Sequence, residues 1–303
     1  MNLRSQLRAL FIQVATRVRA DDLALRLQKR RNRTRGVVVS VHETPKSLES
    51  NFRDQLQWVS QHFTISNLNS FTELCRKCQS KANSRPPILF TFDDGRESNY
   101  EVAAPLLESF GGRGLFFIVP AFAECSPQRA LDFYRTKINP NSRPGDEQWE
   151  DWKPMSPAQI AELVERGHAI GSHTLTHARL AGLPQEDLER EVGESARLLV
   201  SWTNHPVESF AWTFGWDSVD ANAFEVIQRH HQYCFAPCAG TIDAHQDTNL
   251  LWRREIEVKY EPAEYRFLYS GLADAWWGTR RRHLREMLQL SNSNPNPKKD
   301  KCA

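Results

Sequence analysis

No stretch of this 303-residue chain approaches the roughly 18 to 20 uninterrupted apolar residues that a membrane-spanning helix needs. Six cysteines in 303 residues are too few for a disulfide-dense scaffold, and fourteen unperiodic glycines exclude a collagen. There is no internal repeat. With 40% hydrophobic and 25% charged residues the chain is also not disordered. What it contains is enough for one large α/β barrel.

Net charge is scarce too, at +2, but it is unevenly placed. Residues 1–35 hold ten Lys or Arg against two Asp, and residues 280–303 hold seven against Glu286 and Asp300. The ends therefore carry +8 and +5, which leaves −11 on residues 36–279. An acidic body argues against nucleic acid as the main ligand. The expected organisation is a basic amphipathic N-terminal extension (1–35), a catalytic barrel (36–279) and a basic, partly disordered tail (280–303). In the extension, Leu3, Leu7, Leu10, Val14 and Val18 fall at helical spacing. Two readings stand: a helix packed on the body, or peripheral contact with an anionic membrane through residues 1–35. The apolar stretch Ala9–Ala15 is too short for a secretory signal, and Arg17 and Arg19 follow where small residues would precede cleavage. A cytoplasmic location, membrane-associated in the second reading, is the expectation.

Between the ends, strand and helix patterns alternate. Gly36–Val41, Ile88–Phe92, Gly114–Val119, Ala169–Ser172, Phe210–Phe214 and Tyr233–Ala236 read as strands, several of them continuous apolar runs that suit a strand covered on both faces. Helices are expected over Phe52–His62, Tyr100–Phe110, Ser156–Arg166, a segment carrying Leu188, Val192, Leu199 and Trp202, and Val219–His230. Ser156, Pro157 and Gln159 form a helix-start signature. Ser126–Lys153, rich in Pro, Asn and charge, reads as a long loop. Repeating strand–helix units predict a parallel sheet, closed or nearly closed at this length. Cys75/Cys78 and Cys234/Cys238 could form two halves of a zinc knuckle, but their unlike contexts favour reduced structural thiols.

Two clusters carry chemistry. Asp93 and Asp94 end a buried apolar strand, where an unpaired carboxylate costs several kcal/mol, although Asp-Asp-Gly is also good turn chemistry. His173 and His177, four apart, would share one face of a helical turn and can hold one metal ion, though such pairs also arise by chance. Together they supply one carboxylate and two imidazoles, a three-ligand set with a position left open for water. The second carboxylate is then free to act as a base.

At these residues the sequence resembles the polysaccharide deacetylase family, carbohydrate esterase family 4. Thr91–Gly95 is similar to its first motif, His173–His177 to its second, and Phe210–Gly215 more loosely to its third, in the right order between about Gly36 and Val258. The resemblance implies a distorted (β/α)7-type barrel with parallel strands and a divalent metal, usually zinc, on Asp94, His173 and His177. It makes Asp93 the general base. It implies hydrolytic removal of acetyl groups from an N-acetylated sugar polymer or glycan precursor, with a metal-activated water as nucleophile. The backbone at Phe214 is then a candidate oxyanion donor, and Trp216 a stacking platform for sugar.

The chain departs from the pattern in two places. Ala211 stands where many members have the Arg that orients the base, and Thr213 replaces the usual Pro; some members acting on amino-sugar polymers also lack this Arg. No clear Leu-x-x-His supplies the general acid near the C-terminus; Ile227–His230 falls on an expected helix, and His245 is a weak match. His42, ending the first strand, stands where a subset of the family has a His, and it is the candidate for proton transfer or substrate binding beside a purely structural role. The missing groups leave a catalytically weak carbohydrate-binding member as a rival, and a deformylase or O-acetyl esterase would use the same metal site.

Overall fold

A computed structural model describes residues 12–30, 35–76, 85–141, 152–243 and 250–289. Among the described residues ten strands form one sheet: β1 (Arg35–Val41), β2 (Thr64–Ile65), β3 (Pro87–Phe92), β4 (Leu115–Ile118), β5 (Ala169–Ser172), β6 (Ser209–Ala211), β7 (Tyr233–Ala236), β8 (Ile242–Asp243), β9 (Leu251–Trp252) and β10 (Arg254–Glu255). The path runs β10-β1-β3-β4-β5-β6-β7-β9 and is parallel throughout; β2 pairs with the start of β3, and β8 lies antiparallel on β1.

The two ends of that path are one piece of chain. Leu251 and Trp252 pair with β7, and Arg254 and Glu255 pair with β1, with only Arg253 between them. The segment 251–255 is therefore the seventh stave of a barrel that begins with β1, and it changes partner in its middle. The backbone bonds Arg253 N–H to Ala236 O (3.2 Å) and Ile256 N–H to Ser40 O (3.0 Å) lie on either side of the seam. This is the nearly closed parallel barrel that the alternating pattern predicts, in the distorted seven-stranded (β/α) form that the family resemblance implies.

The two-residue period of the strands sorts side chains between the outer helices and the interior. Val37, Val39 and Val41 of β1 and Ile88, Phe90 and Phe92 of β3 share one buried cluster with Phe52, Leu56 and Val59 of the helix Glu49–His62. Val38, Leu89, Leu115 and Phe117 belong to a different one. On β3 the face of Leu89 and Thr91 continues to Asp93, so the alternation itself aims that carboxylate inward. The helix Pro157–Glu165 starts in a capping box, with the Gln159 N–H donating to Ser156 Oγ (3.3 Å) and the Ser156 N–H donating to Gln159 Oε1 (2.8 Å).

Three expectations need correcting. The segment Ser126–Lys153 is not loop throughout. Pro127 sits in the first turn of a helix, Pro127–Phe133, that runs on into a wider turn, Tyr134–Ile138, because Ala130, Tyr134 and Ile138 recur at helical spacing and are buried. Residues 142–151 of that segment lie outside the described residues. His173–His177 is not a helical turn, as described below. The chain after Ala236, where no element was expected, carries the closing strand segment and the helices Pro262–Tyr269 and Gly278–Met287. The described part of the first 35 residues packs on the body. Ile12, Ala15 and Leu25 are buried, Thr16 Oγ1 donates to Ala263 O (3.2 Å), and Arg266 pairs with the buried Asp21 (3.3 Å).

Gly171 on β5 is a close approach. A Cβ there would lie 2.5 Å from two atoms of the Phe117 ring and 3.0 Å from the Ser209 carbonyl oxygen. Gly171→Ala should therefore destabilise the fold by about 1–3 kcal/mol, read as a lower thermal midpoint.

Candidate active site

The carboxyl ends of the barrel strands surround a cleft of about 470 Å³. Asp93 follows β3 directly, its N–H bonded to Val41 O (3.1 Å), and is buried. Asp94 then takes φ +74° and Gly95 φ +79°. Two successive left-handed residues turn the chain sharply, so neighbouring carboxylates point to different partners.

Asp93 Oδ1 accepts from Arg253 Nη1 at 2.6 Å, and Asp93 Oδ2 lies 3.8 Å from His42 Nε2. Burial alone would raise the Asp93 carboxyl, but Arg253, with His173 and His42 behind it, holds it below the usual carboxylate range. Asp94 Oδ2 accepts from Arg96 Nη2 (3.0 Å), while its Oδ1 faces His173 Nε2 (3.7 Å) and His177 Nε2 (3.6 Å). Burial opposes its charge too, and Arg96 together with the histidines overrides it. Arg96 is itself buried, with Glu43 at 3.5 Å and its guanidinium 5.1 Å from the centre of the Tyr134 ring.

Both imidazoles are oriented by backbone. His173 Nδ1 donates to Ala211 O (2.9 Å) and His177 Nδ1 to Lys137 O (2.7 Å), which leaves each Nε2 lone pair toward Asp94. Burial pushes His173 down to about 4 and lowers His177 as well, so both are neutral at pH 7 and able to ligate. The ligand atoms of Asp94, His173 and His177 lie within 4.8 Å of one another. Tetrahedral ligands at about 2.1 Å from an ion are about 3.4 Å apart, so the 3.6 and 3.7 Å separations fit a shared divalent cation. His42, Glu255 and Glu257 also cluster, but the His42–Glu257 contact is a 2.7 Å hydrogen bond rather than a pair of ligands spread around an ion.

The histidines reach this geometry from a loop with Thr174 at φ +63° and His177 at φ +59°. Glu191 clamps the loop: its carboxylate accepts from the Thr176 N–H and Oγ1 (both 2.9 Å), and its carbonyl from the Leu175 N–H (2.8 Å). Four of the seven described non-glycine residues with positive φ are Asp94, Thr174, His177 and Phe214, so backbone strain concentrates at the cleft.

His42 ends β1 and its side chain is one-third exposed to the cleft. Its Nδ1 donates to Glu257 Oε1 (2.7 Å). Burial works against the imidazolium, but the Glu257 carboxylate outweighs it and, with Asp93 and Asp94, raises His42 to about 10.

Phe214 lines the cleft, its ring 4.6 Å from that of His177. Trp216 does not line it. The chain turns away after Phe214, and Trp216 packs against His283 (5.6 Å between ring centroids) and Arg280 (5.9 Å). Trp277, Tyr260 and the buried Trp212 line the cleft with Phe214. His230 lies on the outer helix Ala221–His230, bonded to Glu189 (2.7 Å), and His245 is outside the described residues. Cys234 accepts from Trp212 Nε1 (2.8 Å), and burial pushes its thiol up to about 12; the side chains of Cys75 and Cys78 are outside the described residues.

Sequence reasoning missed Arg253 and Glu257, which no local pattern marks. Arg253 stands at the barrel seam, and it meets Asp93 160 positions away in the chain.

A parallel barrel with two differently directed carboxylates and a His pair at its mouth is the arrangement of a hydrolase. The family model described as polysaccharide deacetylase matches residues 80–233, and the chain belongs to that family. The matched span holds Asp93, Asp94, His173, His177 and Phe214 but not His42, Arg253 or Glu257. The chain is 26% identical over 120 residues to YxkH of Bacillus subtilis (strain 168), which carries a polysaccharide deacetylase name; the match spans 40% of this chain and 34% of that protein. Three solved structures share the fold. The polysaccharide deacetylase BC0361 from Bacillus cereus has TM-score 0.56 at 18% identity, covering 79% of this chain and 69% of that one. IcaB from Ammonifex degensii has TM-score 0.58 at 17% identity, covering 80% and 97%. The deacetylase PplD of Streptococcus pyogenes, solved with acetate, has TM-score 0.58 at 15% identity, covering 78% and 98%.

Arg253→Gln should leave Asp93 as an under-compensated buried charge and cost roughly 3–5 kcal/mol at pH 7. The paired carboxyl, held low, contributes stability that is complete above its unfolded value near 3.9 and is lost as pH falls through its lower folded value. In the variant the carboxyl instead takes a proton as pH falls, which relieves the penalty. The difference in thermal midpoint between the two proteins should therefore shrink from pH 7 to pH 4.

Proposed function

We propose that the protein removes acetyl groups from N-acetylated sugars of a polysaccharide or glycan precursor, with a divalent metal, zinc foremost, on Asp94, His173 and His177. The observation that carries this reading is the division of labour between Asp93 and Asp94. One carboxylate faces two neutral imidazoles at ligand spacing, and its neighbour, ionised and held by Arg253, faces the protonated His42. The donor set also suits other divalent ions, and its chemistry alone does not distinguish them. A cation there would polarise the acyl carbonyl and acidify a water in the cleft.

The chain's own groups then have separate tasks. Asp93 accepts the proton of the attacking water, and Arg253 keeps that carboxylate ionised and directed. The water oxygen bonds to the carbonyl carbon, the C–N bond breaks, and His42 protonates the departing amine, so acetate and a free amino sugar leave. Glu257 keeps His42 charged for that step. The Phe214 backbone is the candidate donor to the carbonyl oxygen as it gains charge. Trp277, Tyr260 and Phe214 offer faces to sugar rings. Arg253 and His42 stand in for the two groups whose absence from the motifs suggested a binding-only protein, and this favours the catalytic reading. A neutral or amine-bearing sugar also suits the acidic body better than a polyanion would.

Purified protein should release acetate from chitooligosaccharides or poly-N-acetylglucosamine. Chelation should abolish turnover and zinc should restore it. Asp93→Asn should lower kcat about 10²- to 10⁴-fold while leaving metal content unchanged. Metal bound without acetate release from any acetylated sugar tested would overturn the catalytic reading.

Glu257→Gln removes the main influence that raises His42, so burial dominates and the His42 pKa falls. A group that must be protonated to donate fails above its pKa, so the alkaline limb of the kcat profile should move to lower pH. An unmoved limb, or full activity in His42→Ala, would exclude His42 as the proton donor.

A further inference from the structure

The N-terminal segment has two faces. On the inner one, Ile12, Ala15, Asp21 and Leu25 are buried against the body. On the outer one, Val14 and Val18 in and after the helical turn over 12–17, and Leu23 and Leu27 in the helix Ala20–Arg30, are 45–70% exposed and four residues apart in each pair. Seven large hydrophobic side chains are exposed among the described residues, and these are four of them. Solvent alone gives no reason to gather them in fourteen residues. Arg17, Arg19 and Arg26 are exposed among them, within a segment that carries +8.

We propose that this outer face is a docking surface for an anionic lipid bilayer, with Val14, Val18, Leu23 and Leu27 entering the interface and the arginines pairing with lipid phosphates. Charge complementarity favours this occupant. A second copy docking through the same patch about a twofold axis would set arginines against arginines. Nucleic acid would satisfy the arginines and leave the apolar side chains in water. A bilayer surface takes both, as interfacial amphipathic helices do. The inner face ties the same segment to the body through the buried Ile12, Ala15 and Leu25 and the Arg266–Asp21 pair (3.3 Å). The proposal does not depend on the catalytic reading, because its readout is binding alone.

The test is co-flotation of the full chain with phosphatidylcholine vesicles that contain or lack phosphatidylglycerol. Binding is expected only with phosphatidylglycerol and should weaken at high salt. Leu23→Gln/Leu27→Gln and Arg17→Gln/Arg26→Gln should each weaken it about tenfold or more with unchanged thermal midpoints. Absence of binding, or binding unaffected by both double variants, would overturn the proposal. So would a wild-type dimer in sedimentation that Leu23→Gln/Leu27→Gln converts to a monomer, since the patch would then belong to a second copy.

Discussion

Two adjacent ionised carboxylates buried at the mouth of a barrel impose the constraint from which most of this structure follows. Neither Asp93 nor Asp94 retains its water, and each needs a countercharge of its own. Asp93 obtains one from Arg253 and Asp94 from Arg96, both of them buried arginines from different parts of the chain. The left-handed turn at Asp94 and Gly95 makes this possible, because it directs neighbouring side chains to separate partners. In the proposed mechanism one carboxylate thereby serves as proton acceptor and the other as metal ligand.

The rest of the site is arranged around that division. The two imidazoles that face Asp94 are held by carbonyls of β6 and of the turn Tyr134–Ile138, and Glu191 braces the strained loop that presents them. His42 faces the Asp93 oxygen that Arg253 does not bond, and Glu257 favours the charged form of its imidazole. A bound divalent ion would offset part of the −11 carried by the body, so that acidity is partly a property of the site. The seam in the closing strand serves both architecture and chemistry. The residue at which 251–255 changes partner from β7 to β1 is the one whose guanidinium fills the interior beside Asp93.

Much of this was legible in the linear chain because it is local. Six strands follow from apolar runs and alternation, the start of the helix at Pro157 from a capping box, and the candidate ligand set from two short motifs at strand ends. His173 and His177 both face Asp94, but not from the helical turn their four-residue spacing suggests: a strained loop braced by Glu191 brings the two rings together. Trp216 was read as a cleft residue from its place beside Phe214, but proximity in sequence says nothing about where the chain turns next. The segment from Ser126 hid a helix because its polar and proline content outweighed three apolar residues at the right spacing.

The sequence by itself determined the repeating barrel units, the two carboxylates, the two histidines and the basic, amphipathic character of the N-terminus, all of which depend on residues within a few positions of one another. Only the tertiary structure decided that Arg253 meets Asp93 and that Glu257 meets His42. Arg253 and Glu257 lie at unremarkable sequence positions and gain their roles when the last strand closes the barrel onto β1. Tertiary packing likewise decided which face of the N-terminal helices is buried and which remains open. Both are settled by long-range burial, and a buried charge selects its partner by position in space, whatever the separation along the chain.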